Sequence, residues 1–216
     1  VLMEWQLPTS DGSGFNREGL LEARQLLLDA GFYYNDMKLY QPDGKLAQIE
    51  ILMTGETMGR VLLPYIRNLK RLGFDVTLRQ VDGPQYYERV RRFDYDMVVD
   101  VFAQSLSPGA EQAAFWGSAA TDEPGNHNTI GIKNPVIDRV IEQLGNAKNR
   151  DEIVLYTQVL DRLLRAGHYV VPLYGKSATN VAYWNQYRHT EKLPANAIGI
   201  DYWRTDKAAE VRVNKY

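Results

Sequence analysis

Residues 95–118 read YDMVVDVFAQSLSPGAEQAAFWGS and decide the fold that we expect for the whole chain. The stretch opens with the alternating pattern of a β-strand, which we place over residues 96–103. On this pattern Val99 and Val101 share one face of the strand and should lie in the core of a sheet.

The strand is followed by a polar turn, QSLS at residues 104–107, and then by the signals of a helix start. Ser107 fits the N-cap position, Pro108 the first helical position, and Glu111 the acidic preference of a first turn. In α/β proteins, ligands bind where a strand ends in a polar turn and a helix begins.

Strands and helices alternate before this stretch, and a turn at residues 42–44 joins two extended pieces. The predicted elements are a helix at 17–30, a strand at 46–53, a helix at 57–72, a strand at 74–81 and a short helix at 84–92. Pro64 should kink the second helix or mark a late start of it. This β-α-β-α-β order predicts an open, partly parallel sheet covered by helices.

After the central stretch the sequence predicts two more helices and two more strands. The helices run from residues 134–135 to 144 and from 149–150 to 166, and the strands cover 168–174 and 178–184. The charged residues from 204 onward are typical of a frayed end.

The composition excludes several classes of function. The 216 residues include 44% hydrophobic residues, carry a net charge of −2 and contain no cysteine. They are apolar enough to form a core, and they lack the basic surface that nucleic acid or an anionic membrane would attract. Disulfides and cysteine-based zinc sites are excluded, and no apolar run approaches the length of a membrane span.

No enzyme motif is present in the sequence. The histidines show no metal-ligand spacing, and the serines lack the nucleophile elbow of hydrolases. Asp94 and Asp96 lie at the wrong end of a strand for catalysis and fit capping or solvation. Asp100 fits either a structural hydrogen bond or, less readily, a ligand contact.

The binding candidates are neutral. Gln104, Ser105 and Ser107 can donate to and accept from a peptide backbone without choosing its side chains. Three further candidates have structural alternatives of equal or greater weight, as anchors of a helix or of a loop: Gln112, Trp116 and Asn128.

The motifs resemble those of a known family. The stretch FDYDMVVDVFAQSLSPGAEQAAFWGS (residues 93–118), followed by NTIGI (128–132) and NPVID (134–138), resembles the family 5 extracellular solute-binding proteins. These are the dipeptide- and oligopeptide-binding receptors of bacterial ABC importers. The likeness is strongest to the oligopeptide branch that also takes up microcin C, and it extends from residues 7–14 to residues 200–206.

The resemblance implies a fold, a function and partners. Residues 1–174 would form the second, periplasmic-binding-protein-like α/β lobe of a two-lobed protein, with an open mixed sheet and helices on both faces. Residues 175–216 would be the segment that returns to the first lobe. The chain would be the C-terminal part of a longer periplasmic parent, whose signal peptide and first lobe are not in this sequence. That parent would capture peptides or peptide-like solutes between its lobes for a membrane permease, without catalysis, cofactor, metal or nucleic acid.

Two alternatives use a similar α/β unit: a hydrolase, and the ligand-sensing domain of a transcription regulator. Turnover of a peptide or glycoside by the purified chain would favour the first, and a DNA-binding segment in the parent sequence would favour the second.

The polar turn departs from the family in one respect. Many oligopeptide-binding relatives carry an aspartate just after the third strand, where it pairs with the free amino terminus of the peptide. This chain has no carboxylate at the matching place, although Asp100 or Glu111 could supply one from nearby. We therefore expect the parent to tolerate a blocked amino terminus.

Overall fold

The computed structural model describes residues 9, 11–105, 107–123, 125, 127–173, 180–192 and 197–206. The chain divides into two compact units, residues 1–170 and residues 171–216. The assignment of residues 175–216 as a return segment stays a prediction.

The first unit contains six helices, five strands and a short 3-10 helix among the described residues. They are α1 (Arg17–Asp29), β1 (Tyr33–Asn35), β2 (Lys38–Tyr40), β3 (Gln48–Thr54), α2 (Thr57–Arg71), β4 (Asp75–Val81), α3 (Gly83–Arg91), β5 (Met97–Val98), α4 (Gln112–Trp116), the 3-10 helix Ser118–Asp122, α5 (Pro135–Gly145) and α6 (Arg150–Ala166).

The main sheet is parallel and has the order β4-β3-β5. The chain moves from β3 to β4 in one direction and from β4 to β5 in the other. Because β-α-β crossovers are right-handed, α2 and α3 cover opposite faces of the sheet. The predicted α/β fold with helices on both faces of an open sheet is thus confirmed.

Alternation along β3 decides which helix each residue meets. Ile51 and Met53 pack in one cluster with residues of α2, while Glu50, on the opposite face, reaches Arg89 of α3. The α2 residues of this cluster are spaced three and four apart, as one face of a helix requires: Leu62, Ile66 and Leu69. Pro64 lies inside α2 and does not mark a late start.

The β1–β2 hairpin packs on the connection between α2 and β4. Gly73 has a φ of +89°, and a Cβ on it would come within 2.9 Å of the Leu39 backbone nitrogen, so the close approach requires glycine. The Leu39 N–H donates to the Gly73 carbonyl, and the Tyr34 hydroxyl donates to the Leu72 carbonyl at 3.0 Å. The predicted turn at residues 42–44 follows β2.

A second apolar cluster lies between α4, α5 and α6. Its buried members are Trp116, Ile132, Ile137, Ile141, Leu144 and Leu160. Asn134 caps α5 and Asn149 caps α6, each accepting a hydrogen bond from a backbone N–H in the first turn.

The third strand is much shorter than predicted. The prediction that Val101 lies in the core is wrong. β5 pairs with β3 only at Met97 and Val98, and Val101 is 83% exposed. Side chains bind the backbone groups that a longer strand would offer to its neighbour. The Tyr86 hydroxyl donates to the Val99 carbonyl, and the Asp100 carboxylate accepts from the Val101 N–H.

The next helix also begins later than predicted. The Ser107 hydroxyl accepts from Arg150 instead of capping a helix, and α4 starts only at Gln112. The Glu111 carboxylate accepts from the Gly109 N–H, which holds the preceding residues in a turn.

Neither of the two late strands is formed by the described residues. His168 has a φ of +51°, in the left-handed region, so the chain turns where the first strand was expected to begin. Residues 169–173 and 180–184 are not in strands, and residues 174 and 178–179 lie outside the described part of the chain.

The second unit is built around two short strands, β6 (Tyr187–Arg188) and β7 (Arg204–Thr205), which pair antiparallel. The Trp203 ring contacts Tyr183, with ring centroids 4.6 Å apart, and His189 at 5.4 Å.

Candidate ligand-binding turn

The polar turn consists of Gln104, Ser105 and Ser107, and all three residues are exposed. The Ser107 N–H donates to the Ser105 hydroxyl at 3.3 Å, and Arg150 donates to the Ser107 hydroxyl, also at 3.3 Å. The turn thus offers neutral polar groups to solvent and is tied to the start of α6.

Gln112 connects the polar turn to the core. Its side chain is 3% exposed, and its amide oxygen accepts from the Trp116 indole N–H at 3.1 Å. Its amide nitrogen donates to Gln104 Oε1 at 2.8 Å and to Glu111 Oε1 at 3.3 Å. Gln104 therefore has a fixed partner on its inner side.

Trp116 is 7% exposed and packs at a tilt against two other aromatic rings. Its ring lies 4.6 Å from Phe102 and 6.1 Å from Phe115, centroid to centroid. These contacts place the end of α4 against the chain that leads into the polar turn.

Asn128 has no exposed surface, and its side chain makes four hydrogen bonds to backbone groups of the described residues. Its amide nitrogen donates to the Gly117 and Ile132 carbonyls, at 2.9 and 3.1 Å. Its amide oxygen accepts from the N–H groups of Gly131 and Ile132, at 3.1 and 3.0 Å. Asn128 thereby joins the end of α4 to the loop that precedes α5.

Asp138 adds a further link that sequence reasoning missed. Its carboxylate accepts from both the N–H and the hydroxyl of Ser118, at 2.8 and 2.6 Å. The sequence holds a weak signal for this contact, since an acidic residue in the first turn of a helix often meets backbone donors.

Asp100 has a structural partner next to the turn. Its carboxylate accepts from the Thr129 hydroxyl at 2.6 Å, and the nearby Tyr95 hydroxyl donates to the Thr129 carbonyl. Burial, followed by the negative charge of Asp100, raises the pKa of Tyr95 to about 12, so this phenol keeps its proton. The structural hydrogen bond weighed for Asp100 is present.

A groove of about 280 Å³ lies beside the polar turn. It is lined by Ser105, Pro108, Arg150, Ile153, Val154, Thr157 and Gln158. The Thr157 hydroxyl oxygen is buried and has no hydrogen-bond partner among the described residues.

A larger groove, of about 540 Å³, lies on the α3 side of the sheet, and its charges pair with one another. Glu50 accepts from Arg89 at 2.5 Å and from Arg79 at 3.2 Å, and Arg89 also donates to Asp94. Asp94 and Asp96 thus have structural contacts, since Asp96 accepts from the Glu50 N–H. The smaller groove, by contrast, has one charged lining residue, Arg150, and lies directly beside the polar turn.

Within the described part of the chain, no three histidine or acidic side chains converge as a metal site would require. Among the same residues, no helix combines the length and the apolar character needed to cross a membrane.

Comparison with known proteins identifies relatives over almost the whole chain, although no protein-family model matches it. The probable peptide-binding protein YejA of Agrobacterium fabrum is 39% identical over 207 residues, which are 95% of this chain and 34% of that protein. The peptidoglycan-binding protein YepA of the same species is 36% identical over 199 residues, or 92% of this chain and 32% of that protein. The chain thus spans about a third of the length of the curated relatives that it matches.

Solved structures share the fold. The oligopeptide-binding protein AppA of Bacillus subtilis, solved in complex with a nonapeptide, matches with a TM-score of 0.69. The match covers 89% of this chain and 38% of AppA, at 17% identity.

The fold is that of a lobe of the periplasmic binding-protein class. Together with the sequence relatives, the fold confirms the resemblance that the motifs indicate, to the extracellular solute-binding proteins. Both named relatives are described as binding proteins.

Proposed function

We propose that the parent protein captures peptides outside the cytoplasmic membrane and delivers them to the permease of an ABC importer. One observation carries this proposal: the chain is 39% identical, over 95% of its length, to a probable peptide-binding protein. In this proposal the first lobe of the parent supplies the other wall of the cleft, and the lobes close on the ligand by a hinge.

The polar turn suits a peptide main chain. A peptide carries an N–H and a carbonyl at nearly every residue, and uncharged amides and hydroxyls can bind these groups whatever the side chains are. We assign this contact to Gln104, Ser105 and Ser107, which are exposed.

We assign a supporting role to the other three candidates. The polar groups of Gln112, the indole N–H of Trp116 and the amide of Asn128 all bind inside the protein. In the proposal they hold the turn in place, and Asn128, which has no exposed surface, does not touch the ligand.

A peptide from the cell wall is a second candidate ligand, because YepA, at 36% identity, is named a peptidoglycan-binding protein. Peptidoglycan carries short peptides, so the same turn serves both ligands.

Mass spectrometry of the ligand that the full-length parent retains after mild purification tests the proposal. We expect a bound peptide, with or without attached sugar. A parent that carries only a sugar, or that captures nothing from a library of tripeptides to pentapeptides, would exclude peptide capture.

The absence of a carboxylate in the polar turn gives a prediction about the peptide terminus. We expect free and formylated versions of one library peptide to bind the parent within about tenfold of each other, or roughly 1.4 kcal/mol. The Ser105→Asp variant should then prefer the free amine, because it adds the missing counter-charge. A larger loss on formylation of the wild type would show that Asp100 or Glu111 binds the amino terminus.

A further inference from the structure

The amide orientations around Gln112 are fixed by chemistry. The nitrogen and oxygen of a side-chain amide have nearly the same shape, so hydrogen-bond partners decide which way the group faces. Trp116 offers an indole N–H, which can only donate, and the ionised Glu111 carboxylate can only accept. Gln112 must therefore turn its oxygen toward Trp116 and its nitrogen toward Glu111.

This orientation sets that of Gln104. The Gln112 amide nitrogen carries only hydrogens to donate, and it lies 2.8 Å from the Gln104 amide. Gln104 must therefore accept this hydrogen bond with its amide oxygen, so its NH₂ group faces away from Gln112. That NH₂ group donates no hydrogen bond to any of the described residues.

We propose that the relay Trp116–Gln112–Gln104 presents a hydrogen-bond donor to the ligand, so that the turn selects an acceptor oxygen of the peptide. This inference rests on the proposed function and adds to it the polarity of the contact. The acceptor is a main-chain carbonyl or the terminal carboxylate, which share the same chemistry. A ligand ammonium that meets this NH₂ group finds no acceptor there, because an amide NH₂ can only donate.

The burial of the relay explains why Gln104 keeps this orientation. Turning Gln112 over would place its oxygen against Glu111 and leave the buried indole N–H without an acceptor. An unsatisfied buried donor costs about 1–3 kcal/mol, so the reversed relay is rarely populated.

Two substitutions of Gln104 in the full-length parent test the polarity. Gln104→Glu keeps the inner acceptor and replaces the outer donor with a charged acceptor. Gln104→Met removes both groups at nearly constant size. We expect the affinity for the tightest-binding library peptide to fall in the order wild type, Met variant, Glu variant. The Glu variant should bind at least tenfold more weakly than the wild type.

A matched control is Gln143→Glu, which makes the same charge change on the exposed surface of α5. Its affinity should stay within twofold of the wild type.

Comparing the peptide with its carboxyl-terminal amide separates the two acceptors. If the acceptor is the terminal carboxylate, Gln104→Glu should weaken binding of the amide form less than binding of the free-acid form. If the acceptor is a main-chain carbonyl, the two forms should lose the same affinity.

The outcomes distinguish this inference from the function on which it rests. A Glu variant that binds as tightly as the wild type, or more tightly, overturns the donor assignment while peptide capture stands. A wild-type parent that captures no library peptide overturns the proposed function and this inference with it.

Discussion

The sheet core and the region around the polar turn are stabilised in different ways. In the sheet core, β3 pairs with β4 along seven residues, and Ile51 and Met53 pack against the apolar face of α2. Around the turn, β5 pairs at only two residues, and polar side chains such as Gln112 and Asn128 join segments of irregular chain. The difference teaches that the sheet core depends on apolar burial, whereas the region of the turn depends on satisfied buried polar groups as well.

Substitution of Asn128 should give the largest effect. Asn128→Ala removes four hydrogen bonds to backbone groups in a fully buried place, and each unsatisfied group costs about 1–3 kcal/mol. Because water can reach part of the opened loop, we expect a loss of about 3–5 kcal/mol in the free energy of unfolding, measured by urea denaturation of the chain.

Asn146→Ala is the matched control, since the Asn146 side chain makes one exposed hydrogen bond, to the Glu142 carbonyl. It should cost less than about 1 kcal/mol. Equal losses for the two variants would show that the loop does not depend on its buried amide.

A smaller effect is expected at Glu50, on the sheet side. Burial raises the pKa of this carboxyl, but hydrogen bonds and charge from Arg89 and Arg79 outweigh burial and hold the pKa below its usual range. A lowered carboxyl pKa stabilises the fold above the ordinary pKa, and this stabilisation is lost as the pH falls through the lowered value.

We therefore expect Glu50→Gln to be less stable than the wild type at pH 7, by about 1 kcal/mol or less, because the side chain is 26% exposed and water screens the pair. Denaturation series from pH 7 to pH 2 should show the two proteins converge in acid. A difference that stays constant with pH would mean that the ion pairs do not contribute.

The smallest effect should come from Thr157, beside the polar turn. Its buried hydroxyl has no partner among the described residues, so Thr157→Val removes an unsatisfied group at nearly constant volume. We expect thermal denaturation to show a gain of about 0.5 kcal/mol. A loss of stability would reveal a hydrogen bond of the wild-type hydroxyl.

The sequence predicted the sheet core well because apolar periodicity records it. Helix α2 was predicted over residues 57–72 and runs from Thr57 to Arg71, and β3 and β4 begin and end within two residues of the strands predicted at 46–53 and 74–81. These contacts repeat every two residues or every three to four, so each residue supports the assignment of the next.

The region of the turn was predicted less well because single side chains decide it. The sequence identified three separate candidates, Gln104, Gln112 and Trp116, but not the relay that they form. The relay depends on how the backbone folds the Gln112 amide back onto Gln104, eight residues earlier in the chain. The length of β5 likewise depends on Tyr86 and Asp100, which bind backbone groups and leave no periodic signal.

Hydrogen–deuterium exchange of the full-length parent, with and without its tightest-binding library peptide, tests most directly whether the polar turn contacts the ligand. We predict that bound peptide slows exchange in residues 99–118 and leaves the hairpin of residues 33–45 unchanged. Unchanged exchange in residues 99–118, with slower exchange in the α3 groove around Arg79 and Gln85, would contradict the account.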